Sequence, residues 1–331
     1  MGYGGMTVIF RNLARHRLAD HYRALAEQLL PEITTAAEKA AVLEIVGYDG
    51  MSVGQWSLAK QTLTEAATLF TRLEMGRNWA ECWTLLGFLQ MLRGRFDHGA
   101  RQYAEAGVAA SERGDLFFRF VGLAGQAAGL LRLGDSYLPD VMALLEQAQA
   151  VPNLPLAAED KVWLYGLLGR LQLRLGNLVE AEAWTHETLA AMAQSTFMYF
   201  YSMDGYTAPA EILLGLTDTT PYQPQRGRAV KQALQQQQAF ARVYPVGQPG
   251  AWLAAGRWAW ENGRFPQAHQ LWQQSLAAAQ KLGMTYETMR THWVIGQHLP
   301  AEAGERAAHL HQAEQLLERL GITAPSGNFL P

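Results

Sequence analysis

The chain is poor in cysteine, in lysine and in long uninterrupted apolar runs. Its 331 residues include one cysteine, Cys82, so no intramolecular disulfide can form, which favours a reducing compartment and a cytoplasmic protein. Lysine occurs five times against 22 arginines, and the net charge is −3, so the charge balance favours neither nucleic acid nor a membrane surface as a partner. Residues 1–11 lack a secretory signal, and the longest apolar run, residues 120–131, is too short to cross a bilayer.

Sequence motifs for chemistry are also missing. The chain has no GxxxxGK[ST] phosphate loop, no kinase motif set and no Gly-x-Ser-x-Gly nucleophile elbow. None of the nine histidines stands four residues from another, which is the spacing that lets two imidazoles on one helix share a metal ion. We therefore expect no catalytic residues, no metal and no cofactor, and we expect Cys82 to be a small buried hydrophobe.

The chain has, instead, a repeat of about 40 residues, and no window of alternating β-branched residues long enough for a sheet. Small residues recur at this period, namely Gly47, Gly87, Ala127, Gly169, Gly256 and Gly296. Most of them are followed seven residues later by a glycine, at Gly54, Gly94, Gly134, Gly176 and Gly263. This spacing is typical of tetratricopeptide-like helix–turn–helix repeats. The pattern predicts an all-α fold, an α-solenoid of about seven to eight helix pairs.

Each glycine of the repeat has a packing reason. A small residue in the middle of the first helix lets the second helix approach closely, and the later glycine takes the left-handed conformation that ends the first helix. One pair alone cannot bury its apolar face, so successive pairs stack. We therefore expect one elongated superhelix over residues 1–331.

The pattern divides this superhelix into four parts. Residues 1–195 hold the N-terminal pairs, and residues 251–322 hold the C-terminal pairs, followed by a tail at 323–331. Residues 196–250 form an irregular pair, whose aromatic first helix we expect to begin at Phe197. Two prolines, Pro221 and Pro224, break the chain between the two helices of this pair.

Several segments carry a resemblance to a known group of proteins. They are residues 203–206, 240–249, 251–260, 263–268, 282–287 and 295–299. The chain resembles the C-terminal tetratricopeptide-like region of large bacterial signalling proteins, in which a class III adenylate or guanylate cyclase or a Ser/Thr kinase precedes a STAND-type ATPase. Because the catalytic motifs of those proteins are absent here, the resemblance implies a non-catalytic regulatory module. Its partner would be a protein or peptide, or a cyclase, kinase or ATPase domain in cis or in trans.

The repeat register also places candidate residues on the concave surface. They are Glu44, Tyr48, Phe88, Arg132, Arg170, Arg174, Arg257 and Trp260. Because guanidinium groups bind carboxylates in a bidentate manner, this set favours an acidic protein or peptide. If the arginines are solvated, charge reversal at Arg170 and Arg174 weakens binding with little loss of stability; the alternative is that they pair with carboxylates of the chain itself.

A second candidate site lies in the irregular pair. Tyr199, Tyr201, Asp204 and Tyr206 cluster there in sequence and would form a pocket. With that pocket, the chain would be a stand-alone peptide or small-molecule receptor. The two hypotheses predict different ligands, and the sequence does not choose between them.

Overall fold

The computed structural model describes residues 2–219, 224–300 and 304–323, and within these ranges the chain forms sixteen α-helices and no strand. The helices are α1 Tyr3–Asn12, α2 His16–Leu29, α3 Ala36–Ser52, α4 Trp56–Arg72, α5 Gly76–Leu92, α6 Phe96–Glu112, α7 Leu116–Leu133, α8 Leu138–Gln149, α9 Ala158–Arg174, α10 Leu178–Gln194, α11 Met203–Thr219, α12 Pro224–Val243, α13 Gln248–Glu261, α14 Phe265–Leu282, α15 Thr285–His298 and α16 Gly304–Leu320. Neighbouring helices pack in pairs along the chain. The predicted all-α solenoid is confirmed; most of the predicted tail, residues 324–331, lies outside the described residues.

The glycines of the repeat lie where the packing argument requires them. A Cβ added at Gly47 would lie 2.6 Å from Leu63 Cγ of the paired helix, and one at Gly256 would lie 2.4 Å from Trp272 Nε1. The loop glycines Gly54 and Gly94 have φ of +83° and +77°, which L side chains rarely adopt. The helix boundaries therefore follow from the repeat pattern.

The first helices of the pairs form the inner layer. From α3 to α10, and again from α13 to α16, the first helix of each pair buries more residues than the second. Helix α7 is long and apolar enough to cross a membrane by composition alone, but 61% of it is buried within the fold. This burial accounts for its apolar sequence as that of a core helix.

The superhelix returns upon itself, so the expectation of an elongated shape is wrong. The indole Nε1 of Trp56 donates a hydrogen bond to the carbonyl oxygen of Leu282 at 2.5 Å, across 226 residues of sequence. Tyr244 donates from its hydroxyl to Asn12 Oδ1 at 2.8 Å, and the backbone N–H of Thr323 donates to the carbonyl of Leu133 at 3.0 Å. Repeats from the N-terminal part of the described chain therefore contact repeats from its C-terminal part.

The aromatic segment of the irregular pair is not helical at its start, which corrects the prediction of a helix from Phe197. Helix α11 begins at Met203, after a short 3-10 turn over Phe200–Ser202. The ring of Phe200 packs against Phe88 and Tyr48, with centroids 5.1 and 5.9 Å apart. Burial of this ring between distant helices overrides the local helical pattern.

Candidate functional site

Four inner helices carry a cluster of arginines and carboxylates. We call it the arginine cluster: Arg132 on α7, Arg170 and Arg174 on α9, Asp204 and Glu211 on α11, and Glu287 and Arg290 on α15. Three of its arginines, Arg132, Arg170 and Arg174, were predicted as groove residues. They line a small cavity of about 80 Å³, and Arg257, which was also predicted for the groove, lines it as well. The repeat register thus correctly brings these side chains to one side of the fold.

Carboxylates of the chain hold these guanidinium groups. Arg170 donates to Asp204 Oδ1 at 2.8 Å and to Glu211 Oε2 at 2.6 Å, and Arg132 also pairs with Asp204. Arg174 donates from Nε to Asp135 Oδ1 at 2.8 Å. The side chains of Arg170 and Arg174 are only 15% and 9% exposed. The expectation of solvated arginines is therefore wrong; their contact with a partner stays a prediction.

The pairing favours the ionised form of two buried carboxylates, Asp204 and Glu211. Burial alone would raise the pKa of Asp204, but the guanidinium groups of Arg132 and Arg170 hold that pKa below its usual range. Burial would likewise raise the pKa of Glu211, but the guanidinium groups of Arg170 and Arg290 hold that pKa below its usual range. The cluster is thus a set of paired charges that connects inner helices.

The remaining predicted residues fall into different environments. Phe88 is 3% exposed and packs on Phe200 in the core. Trp260 packs against Phe265 with centroids 4.5 Å apart, and Tyr206 stacks on Phe240 at 5.0 Å. The four residues of the second candidate site are therefore separated: Asp204 belongs to the arginine cluster and Tyr206 to the core, whereas Tyr199 and Tyr201 line another cavity.

That other cavity is the larger one, at about 530 Å³. We call it the acidic cavity; it lies between α1, α3, α5, α7, the start of α9 and the segment before α11, and its lining combines carboxylates with aromatic rings. Its lining residues are Val8, Asn12, Glu44, Ile45, Tyr48, Glu81, Thr84, Leu85, Phe117, Phe118, Val121, Ala157, Glu159, Asp160, Tyr199 and Tyr201. The volume is within the range of about 300–1,000 Å³ that is usual for small-molecule sites.

The carboxylates of the acidic cavity differ in their partners. Asp160 accepts hydrogen bonds from the Tyr201 hydroxyl at 3.0 Å and the Ala157 backbone N–H at 3.2 Å. Glu159 accepts a hydrogen bond from the Ser195 hydroxyl at 3.2 Å. Glu44 Oε1, in contrast, is inaccessible to solvent and has no hydrogen-bond partner among the described residues. The carboxyl group of Glu44 interacts instead with that of Glu81.

Glu44 and Glu81 face each other across α3 and α5. Burial, together with the negative charge of Glu81, raises the pKa of Glu44 to about 8. The pKa of Glu81, at the more exposed rim, is also raised, mainly by burial. Neighbouring carboxyls in a pocket of low polarity resist full ionisation, so near neutral pH a proton is shared between them.

Of these lining residues, Glu44 and Tyr48 were predicted for the concave groove, and Tyr199 and Tyr201 for the second candidate site. Glu81, Phe117, Phe118, Glu159 and Asp160 were not predicted as site residues. A signal for Glu81 was present, because the position equivalent to Glu44 in the next repeat is Thr84, and Glu81 lies one helical turn before it. Glu159 and Asp160 lie in the first turn of α9, where acidic side chains interact favourably with the helix dipole, so the sequence alone gave no reason to assign them to a site. Only the fold shows that this helix start opens into the cavity.

No group of three or more His, Cys, Asp or Glu side chains suited to a metal ion occurs in the part of the chain that the structure describes. Cys82 is fully buried, and burial raises the pKa of its thiol above the usual range. The acidic cavity is thus lined by aromatic rings and carboxyl groups that come from several helices.

Comparisons with known proteins agree with the fold. No protein-family model matches the chain, and no curated protein matches it either. Among solved structures, a monomeric mutant of IFIT1 with Gppp-AAAA has a TM-score of 0.50 at 13% identity, covering 95% of this chain and 68% of that one. A second IFIT1 mutant, with m7Gppp-AAAA, has a TM-score of 0.49 at 14% identity, with the same coverage. At this identity the likeness shows a tetratricopeptide-like helical-repeat fold.

Proposed function

We propose that the chain is a non-catalytic sensory module that binds a ligand inside its superhelix, in the acidic cavity. The observation that carries this proposal is the cavity itself. It is about 530 Å³, it is framed by helices from several repeats, and its lining combines carboxyl groups with aromatic rings. A large, mainly apolar pocket with a few convergent polar groups is the usual form of a ligand-binding site in proteins.

The wider role that we propose is regulatory. The segmental resemblance to the repeat regions of bacterial signalling proteins supports a cytoplasmic sensor arm for a nucleotide-dependent output domain, acting in cis or in trans. Ligand in the cavity would join α1, α3, α5 and α9, which come from different repeats. A ligand that prefers one arrangement of these repeats shifts the population of states that the output domain encounters.

We do not propose that the acidic cavity binds RNA, although the structural neighbours were solved with capped RNA. IFIT1 was solved with Gppp-AAAA and with m7Gppp-AAAA, which carry phosphates. The acidic cavity presents Glu44, Glu81, Glu159 and Asp160 and has no lysine or arginine among its lining residues in the described chain. Phosphates would meet repulsion there, whereas nucleic-acid sites carry positive charge.

A blocked variant tests the proposed binding site. Ala157 is exposed at the lining of the cavity, so Ala157→Trp places a large side chain in it without disturbing the core. The control is Ala183→Trp, at an exposed position of α10 that does not line the cavity. In a thermal-shift screen of a metabolite and peptide library, we expect hits that bind the wild type and the control and not Ala157→Trp. Hits that bind all three chains equally would contradict the proposal.

A further inference from the structure

The acidic cavity has a strongly one-sided charge. Its lining contributes four carboxyl side chains, from Glu44, Glu81, Glu159 and Asp160, and no lysine or arginine. Arg77 is near Glu81 but pairs with Asp115 at 3.3 Å, outside the lining. An anionic guest would face net repulsion here, whereas a cationic guest would be attracted.

Aromatic rings complete the lining. Five of its residues are aromatic: Tyr48, Phe117, Phe118, Tyr199 and Tyr201. Tyr199 and Tyr201 stack with centroids 5.5 Å apart. The faces of aromatic rings attract cations through the ring quadrupole, and ammonium and guanidinium groups are the usual guests of such sites.

The chain already shows how these rings receive a cation. The guanidinium carbon of Arg77 lies 5.8 Å from the ring centroid of Phe117 and 5.4 Å from that of Phe118. Both rings also line the acidic cavity. Their position beside a positive charge at the edge of the cavity therefore supports the same preference inside it.

Glu44 supplies the polar anchor for such a guest. Its carboxyl group lines the cavity and faces that of Glu81. Two facing carboxyl groups need either a proton or a cation between them. An ammonium or guanidinium group supplies both hydrogen-bond donors and the positive charge.

We propose that the acidic cavity binds an organic cation, held by Glu44 and Glu81 and enclosed by the surrounding aromatic rings. This inference rests on the proposed binding function and names its ligand class, an alkylammonium or guanidinium group. The group can belong to a free amine or to the side chain of a basic peptide. It is the reverse of the acidic partner expected from the groove arginines, whose guanidinium groups are paired within the chain.

Isothermal titration with probes of equal chain length separates charge from shape. The probes are hexylamine, hexanol and hexanoate, and the protein is the full chain as wild type, Glu44→Gln, Ala157→Trp and Glu180→Gln. Glu180 is exposed on α10 and does not line the cavity, so its variant is the matched control. We expect hexylamine to bind the wild type and Glu180→Gln at least about tenfold more tightly than Glu44→Gln, since hydrogen bonds to charged groups are the stronger ones.

A second pair of probes distinguishes the two sources of the cation. An acetylated Gly-Lys-Gly amide is compared with the same peptide in which norleucine replaces lysine. Tighter binding of the lysine peptide than of hexylamine identifies a basic peptide as the ligand; tighter binding of hexylamine identifies a free amine. Both outcomes support the cation proposal, whereas equal binding of the lysine and norleucine peptides contradicts it.

Proton release gives a readout that a merely structural Glu44 would not show. A bound cation favours the ionised carboxyl pair, so binding below about pH 8 must displace the shared proton. The other ionisable groups that face Glu44 are Glu81 and Cys82 on α5, with Arg77 beyond them, Tyr48 on its own helix, and Glu159, Asp160, Tyr199 and Tyr201 across the cavity. We expect the affinity for hexylamine to rise by up to about tenfold per pH unit between pH 6 and 8, and Glu44→Gln to flatten this slope.

Failure of this inference is distinguishable from failure of the proposed function. If hexanol or hexanoate binds as tightly as hexylamine, and Ala157→Trp abolishes that binding, the cavity is a receptor site and the cation proposal is overturned. If no probe binds the wild type measurably while library hits require an open cavity, the cation proposal is again overturned. If neither probes nor library hits depend on Ala157, both proposals fall.

Discussion

At the scale of single residues, glycines decide how closely the helices of a pair approach. Gly256 is the sharpest case, because an added Cβ would lie 2.4 Å from Nε1 and 2.5 Å from Cδ1 of Trp272. The indole of Trp272 is fully buried and packs against Trp260, His269 and His298. It has little freedom to move away from a new methyl group.

We therefore expect Gly256→Ala to destabilise the protein by about 1–3 kcal/mol, as overpacking of a buried site does. Helix propensity alone would make this substitution stabilising, because alanine is favoured over glycine in a helix by about 1 kcal/mol. A loss of stability therefore reports the close contact with Trp272. The control is Gly304→Ala, where nothing lies within 4 Å of the added Cβ. Urea unfolding of the three chains checks the prediction, and equal or higher stability of Gly256→Ala would show that the helices separate easily.

Glu44 makes a second residue-scale prediction, on the pH dependence of stability. The pKa of Glu44 is about 8 in the folded chain, through burial and then Glu81, against an ordinary value of 4.5. Between these values the folded state binds more protons than the unfolded state, so stability falls as the pH rises from about 4.5 to 8. We expect Glu44→Gln to reduce this fall and to raise the melting temperature at pH 8 relative to the wild type. If the stability of Glu44→Gln depends on pH in the same way as that of the wild type and of the control Glu180→Gln, the raised pKa of Glu44 is contradicted.

At the scale of helices, the arginine cluster joins the first helices of several pairs. Arg170 on α9 contacts Asp204 and Glu211 on α11, and Arg290 on α15 contacts Glu211 at 2.6 Å. Because these charges are largely withdrawn from water, removal of one partner leaves others uncompensated. The cluster is thus a structural connection between pairs as well as a candidate surface for a partner.

We expect Arg170→Met to destabilise the protein by about 3–5 kcal/mol, the usual cost of breaking a buried ion pair from one side. The control is Arg101→Met: Arg101 is 65% exposed and pairs with Asp97 on its own helix at 3.1 Å, so its loss is expected to cost under about 1 kcal/mol. Thermal and urea unfolding measure both. If the two variants are equally stable, the ion pairs of Arg170 contribute little to stability, as expected for a solvated groove residue.

At the scale of the whole molecule, contacts between distant repeats close the superhelix. Trp56 reaches Leu282, Tyr244 reaches Asn12, and the ring of Phe96 meets that of Tyr286 with centroids 5.0 Å apart. We expect small-angle scattering to give a radius of gyration close to the roughly 20 Å typical of a compact domain of this length. A clearly larger value would indicate an open array in solution.

The repeat pattern determined the helices, because each of its signals is local. A glycine at the helix crossing and a left-handed glycine in the loop both act within about 40 residues, and Gly47 and Gly54 lie as expected. The same register correctly grouped Arg132 and Arg170. These features require only that each pair bury its apolar face against its neighbours.

Tertiary structure alone decided which surfaces meet. Small rotations between successive pairs add up along a solenoid, and no single repeat encodes their sum. That sum brings Tyr48 to Phe200 across 152 residues and Arg132 to Asp204 across 72. It turns the predicted groove into paired arginines on one side and an acidic cavity on the other. The charge of a possible ligand therefore depends on long-range closure, which local periodicity does not contain.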